Sequence, residues 1–401
     1  MTKRTAEGEA DPRRSYAVRV ATSVGDFTRD EWDSLTGTLR GGPAPYNPFV
    51  SHAFLSALED SGCAVARTGW QGHHLRLETS EGRLLGALPC YLKSHSQGEY
   101  VFDHGWADAF ERAGGNYYPK LQASTPFTPV TGPRLLVSAD EDANAVRQGL
   151  STGLKAVCDR LGVSSAHVTF AEDPDIEALT GAGFLLRNDQ QFHFINQGYG
   201  SYDDFLSSLA SRKRKALKKE RREALANGIS IEWLTGKHIT EAAWDAFFAF
   251  YMDTGGRKWG RPYLNRRFFS LIGERMPDDI LLVMARREGR WIAGALNFIG
   301  SDRLYGRNWG CTEDHPFLHF EVCYNQAIDF AIANGLAVVE AGAQGEHKLA
   351  RGYRPVMTRS AHHIAHPGLR RAVADYLVGE RKEVERIGSY LDEHTPFRKD
   401  A

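Results

Sequence analysis

The chain has 401 residues, enough for two domains or a pseudo-symmetric pair, with a net charge of −1, 42% hydrophobic and 25% charged residues. That balance excludes a disordered or membrane-embedded protein, so any electrostatic preference has to come from a local patch. The five cysteines, Cys63, Cys90, Cys158, Cys311 and Cys323, are odd in number and form no CxxC pair, against both a disulfide framework and a zinc knuckle.

Residues 1–14 read as a polar leader without the apolar stretch of a signal peptide, and the longest apolar run, Ile280 to Ala285, is far short of the roughly 20 residues that cross a bilayer. A cytoplasmic location is expected. An alternating strand from Tyr16 to Val20 leads into an acidic helix around Trp32, and Ser51 is placed to cap a second helix ending near Ser61. Two strands follow, His73 to Thr79 and Leu84 to Lys93. From Ser94 to Pro133 the chain is rich in Gly, Pro and aromatic residues, including Tyr100 and Phe127, and a loop of that length is expected to be a lid or binding loop. A helix from Glu141 to Leu161, the strand HVTF and the extended stretch GFLLRNDQQFHFIN complete the first half.

The stretch YDDFLSSLASRKRKALKKERREALANG predicts one long helix stopped by Gly228. Eight cations, Arg212, Lys213, Arg214, Lys215, Lys218, Lys219, Arg221 and Arg222, face a single Glu there. Such a one-signed run can hold several phosphates, as tRNA would offer, or be a solvated face. An aromatic helix, WDAFFAFYMDT, gives way to a loop from Gly255 to Tyr263, where Trp259 and Tyr263 offer flat faces and Arg257 and Lys258 offer charge to an acceptor. A hairpin around Glu288 and the strand LYGRNWGC, carrying Arg307 and Trp309, precede a helix from Phe317 to Ala333 in which His319 and Glu321 are candidates to line a pocket.

The densest functional stretch comes next. A buried strand, Ala337 to Glu340, ends on a carboxylate where a parallel strand opens onto a crevice. Gly342 and Gly345 break it, and Gln344, Glu346, His347, Lys348 and Arg351 fall within eight residues. Another strand from Val356 and an amphipathic helix from Leu369 to Leu391 close the chain. The hairpins EGRLLGAL (Glu81 to Leu88) and EGRWIAGAL (Glu288 to Leu296) echo one another, each followed by a helix, a buried strand and a Gly-aromatic step, Gly183-Phe184 and Gly352-Tyr353. Two copies of one α/β unit account for that order: residues 15–196, a basic linking helix over 197–228, and residues 229–395.

This order resembles two tandem GNAT acyltransferase domains, as in the Fem-like aminoacyl and peptidyl transferases of cell-wall synthesis, and EAGAQGEHKLARGY resembles the signature of the FemAB-like predicted N-acyltransferases. Glu340 and Gly342 match the acid-Gly strand end of Fem enzymes, Lys348 the lysine, and Gly352-Tyr353 the final step. His347 departs from the family, standing where an aromatic apolar residue is usual. The resemblance implies an N-acyltransferase that passes an aminoacyl group from aminoacyl-tRNA to an amine of a peptidoglycan precursor or amino-sugar metabolite, with no bound cofactor or metal.

Such chemistry needs a proton acceptor for the amine and stabilisation of an oxyanion. Glu346 or Glu340 is the candidate base, Lys348 the candidate oxyanion partner, and Arg351 a candidate bidentate anion ligand, with Gln344 and His347 beside them. Acyl-CoA is the rival donor. The nearest match to its pyrophosphate-gripping turn, RNWGCT, is followed by the acids of EDHP, which oppose phosphate. Non-catalytic binding of peptidoglycan or RNA is the rival class, and metal hydrolysis finds no HExxH motif.

Overall fold

A computed structural model describes residues 16–37, 39–42, 44–259, 262–342 and 346–398; the side chains of residues 257–259 and 346 lie outside that description. The first half runs β1 (Tyr16–Ala21), α1 (Arg29–Leu35), α2 (His52–Asp60), β2 (Trp70–Gly72), β3 (His74–Thr79), β4 (Leu84–Leu88) and β5 (Tyr91–Lys93). It continues through α3 (His104–Arg112), β6 (Lys120–Ala123), β7 (Leu136–Val137), α4 (Ala143–Leu161), β8 (Ser165–Val168), α5 (Asp173–Gly181) and β9 (Leu185–Ile195). Ser51 does cap α2, its side chain accepting the Phe54 N–H.

Two expectations fail here. The strand from Leu84 to Lys93 breaks at Pro89, which has no N–H for a ladder, so β4 and β5 belong to different sheets. The segment from Ser94 to Pro133 is no lid: it holds α3 and β6, and Trp106 and Tyr117 are buried within it.

Two helices, α6 (Tyr202–Ser207) and α7 (Ser211–Ala224), replace the single basic helix, since Leu209 turns inward and bridges to Phe397. The second half follows with β10 (Ser230–Thr235), α8 (Glu241–Trp259), α9 (Arg266–Arg275), β11 (Ile280–Arg287), β12 (Arg290–Ile299) and β13 (Arg303–Cys311). Thus Gly255 to Trp259 extend a helix and do not begin the expected loop. Then come α10 (Leu318–Phe320), a π turn (Glu321–Asn325), α11 (Gln326–Ala333), β14 (Val338–Glu340), β15 (Arg354–Ile364) and α12 (Pro367–Glu393). At Gly310 the backbone of α8 lies so close to β13 that a Cβ would collide with the Phe250 carbonyl.

The strands form a four-stranded sheet, β1-β3-β4-β7, and an eleven-stranded sheet, β10-β11-β12-β13-β14-β9-β15-β8-β6-β5-β2. Its parallel pairs are β13 with β14 and β6 with β8. Each is capped by an antiparallel strand from the other half: β9 lies against β14, and β15 against β8. These two exchanged strands pair with each other at the centre of the sheet over nine positions. The apolar core follows suit, with Phe49 of the first half packed on Phe298 of the second at 4.8 Å.

Candidate functional site

Strands β13 and β14 pair over three positions only, Arg303 with Val338 through Tyr305 with Glu340. Beyond them β13 continues while β14 stops, and a small open hollow of about 80 Å³ lies at the divergence. Arg307 and Trp309 of β13, Ala341, and His319, Cys323 and Tyr324 from the α10–α11 segment line it. Cys323 and Tyr324 come from the π turn, an irregularity that recurs where a helix supplies functional side chains.

Electrostatics centre on Arg307. Its side chain is 5% exposed; one guanidinium nitrogen faces Glu340 Oε2 at 3.5 Å and another donates to the Gly306 carbonyl at 2.8 Å. Its Nε has no hydrogen-bond partner among the described residues, although it is buried. Such a donor is costly unless a ligand oxygen meets it. Burial lowers the Arg307 pKa, with Glu340 opposing.

Glu340 cannot be the amine's proton acceptor as expected. It is buried, with Arg303 at 3.0 Å on one oxygen and Arg307 on the other, so it acts as their counter-ion and positions Arg307. Lys348 is 1% exposed, and its Nζ donates to the Gly342 carbonyl at 2.8 Å. Burial, then the Arg307 charge, pushes its pKa down to about 8. His347 Nε2 lies 2.9 Å from the Tyr324 hydroxyl, and burial together with Lys348 and Arg351 lowers its pKa.

Other expected ligands are engaged elsewhere. Arg351 donates to Glu220 Oε2 at 2.6 Å and lies 3.5 Å over the Phe320 ring, so it stitches α7 to the 346–351 turn and is not free for a phosphate. Glu321 does not line the hollow: fully buried, it accepts hydrogen bonds from Asn325 and Gln326, both at 2.7 Å. Arg221 turns inward to pair with Glu321 and Asp329, which removes it from the cationic face of α7. Tyr263 stacks on Phe127 and lines a separate opening with Trp70 and Arg67. Gln344 and the side chains of Glu346, Arg257, Lys258 and Trp259 lie outside the described residues. The exposed cations of α7 are Arg212, Lys213, Lys215, Lys218, Lys219 and Arg222, with Arg214 half-buried. Trp309 does reach the hollow, 5.2 Å from the His319 ring. The RNWGCT motif is part of β13 and its continuation, not a phosphate-gripping turn.

A second polar cluster, unforeseen in sequence, fills the first half. Gln122, His167 and His362 stand side by side on one face of adjacent strands, all buried. Lys120 Nζ donates to Glu99 at 2.7 Å, Asp103 at 2.5 Å and Ser96 at 2.8 Å, and Tyr117 donates to Asp103 at 2.7 Å. The Nδ1 atoms of His167 and His362 are 2.6 Å apart, and burial with the Lys120 charge drives the His167 pKa down to about 3. No residue of this set follows a motif, which is why a linear reading passes over it.

A family model, FemAB-like, described as peptidoglycan biosynthesis/recognition, matches residues 23–399. The crystal structure of FemX superposes with a TM-score of 0.53 at 12% identity, covering 87% of this chain and 98% of that one. A conserved protein of unknown function from Bacteroides thetaiotaomicron gives 0.50 at 9% identity, over 86% and 99%. A tandem GNAT protein from the clavulanic acid biosynthesis pathway gives 0.42 at 12% identity, over 88% and 99%. No curated protein matches the sequence.

Proposed function

Since the chain belongs to the FemAB-like family of peptidoglycan biosynthesis and recognition, we propose that it is an N-acyltransferase passing an aminoacyl group from aminoacyl-tRNA to an amine of a peptidoglycan precursor or amino-sugar metabolite. The observation that carries this reading is the hollow at the β13/β14 divergence, with Arg307, whose Nε has no partner among the described residues, in its wall and Lys348 close enough to feel the Arg307 charge. These two positive groups support the reading because the tetrahedral oxyanion of acyl transfer needs cationic partners. His347, largely neutral near pH 7, takes the amine proton through the Tyr324 hydroxyl, and the ester oxygen leaves with a proton as the amide forms.

The donor assignment is supported by charge placement. Six exposed cations on α7 suit a polyanion, whereas Glu313 and Asp314 line the opening that shares Trp309 and His319 with the hollow and oppose a pyrophosphate. No described helix is long and apolar enough to cross a membrane.

The test is transfer of radiolabel from charged bulk tRNA to an extracted pool of wall precursors. Label should appear in the precursors and vanish after RNase pretreatment. Replacing Lys215, Lys218 and Lys219 by Gln should raise the KM for tRNA roughly tenfold and flatten its salt dependence. Product that survives RNase and requires acyl-CoA would overturn the donor assignment.

A further inference from the structure

Away from the hollow, three side chains of metal-ligating type meet. Cys158 and Asp159 occupy the last turns of α4, ahead of the left-handed Gly162 cap, and His363 stands on β15 opposite Ala166 of β8. One sulfur, one carboxylate oxygen and one imidazole nitrogen lie within 4.8 Å of one another. His363 Nε2 is 3.6 Å from Asp159 Oδ1, beyond hydrogen-bond reach. That nitrogen has no hydrogen-bond partner among the described residues, although the side chain is only 8% exposed. The best acceptor for the Cys158 thiol is the Val163 carbonyl, at 3.7 Å.

We propose that Cys158, Asp159 and His363 bind a divalent ion of the zinc type, with water completing a tetrahedron. Thiolate and imidazole together select such an ion over calcium or magnesium, and three protein ligands with one open position are a common zinc arrangement. Tetrahedral closure needs neighbouring ligand atoms to approach to about 3.5 Å. The Asp159–His363 pair already stands at 3.6 Å, and the Asp159 side chain, 58% exposed, has room to adjust its oxygen toward the sulfur. The C-terminal end of α4 adds the negative pole of its helix dipole.

Protons balance in one step. Coordination forms the metal–sulfur bond as the Cys158 S–H proton leaves to solvent. Binding therefore strengthens as pH rises. The ion would fasten α4 of the first half to β15 of the second.

The experiment is a titration of the full chain, stripped with chelator, with cobalt(II) chloride. One equivalent should produce thiolate-to-cobalt charge-transfer absorption in the near ultraviolet, which zinc displaces. Asp159→Asn and His363→Gln should each weaken cobalt binding at least tenfold. Asp159 is exposed, so its variant keeps the test valid even where Cys158→Ser fails to fold. Absence of the thiolate band, or equal binding by wild type and Asp159→Asn, overturns the site. Acyl transfer plays no part in this readout.

Discussion

Lys348→Met is expected to lower acyl transfer by a factor of 10² to 10³ while making the protein more stable at pH 7. The rate loss is that of removing one preorganised positive partner of an oxyanion, about 3–4 kcal/mol. Stability moves the other way because the native site disfavours the charged amine, whose pKa falls to about 8 through burial and the Arg307 charge. In the unfolded chain a lysine titrates near 10.4, so between these values the unfolded state holds more protons and stability rises with pH. Below pH 8 the full cost is present, roughly 3 kcal/mol from the difference in pKa. The variant escapes that cost but loses the bond to Gly342, leaving a net gain of about 1–2 kcal/mol near pH 7 that fades above pH 10. Urea denaturation across pH 6–10 and steady-state transfer rates check both halves. In the wild type, transfer should also fall as pH rises through 8 and the ammonium is lost. An unchanged rate in Lys348→Met would remove Lys348 from the mechanism.

The largest stability effect is expected in the first half. Asp103→Asn takes a carboxylate from the fully buried Lys120 ammonium and the anionic acceptor from Tyr117, and should cost on the order of 3–5 kcal/mol. Burial alone would raise the Asp103 carboxyl; Lys120, then His167, overcome it and hold it well below the usual range. A depressed carboxyl contributes stability above about pH 4 that is lost as pH falls further. Lys120→Met should cost as much at pH 7 but behave differently on acidification. It leaves Asp103 facing Glu99, whose carboxyl burial already raises, so part of the loss should return on going from pH 7 to a lower pH as Glu99 takes a proton. Equal losses at both pH values in Lys120→Met would mean that the carboxylates do not repel.

Much of this architecture was legible in the sequence where local chemistry decides it. Ser51 and the EGR hairpins mark their cap and turns, whereas the basic helix expected to stop at Gly228 already ends at Ala224, with Leu225 as its cap. The acceptor role of Glu340 was misread because its two guanidinium partners sit 37 and 33 residues earlier, on a neighbouring strand. Arg221 and Arg351 look like free cations in a linear reading, yet each meets an acid that only tertiary packing brings near. Tyr324 and Cys323 resemble core residues of a plain helix; the π turn that accompanies their place at the hollow leaves no compositional trace. Aromatic richness between Ser94 and Pro133 reflects packing over a polar sheet face rather than a mobile cover.

The exchange of β9 and β15 means that the two halves cannot be separated like beads on a string. Residues 16–196 alone would leave the β8 edge open and carry β9 with nothing to lie against, and the remainder would have the mirror defect at β14. Such bare ladders invite sticking between copies. Survival of a break in the linker thus depends on both fragments being made together, each lending the other a strand.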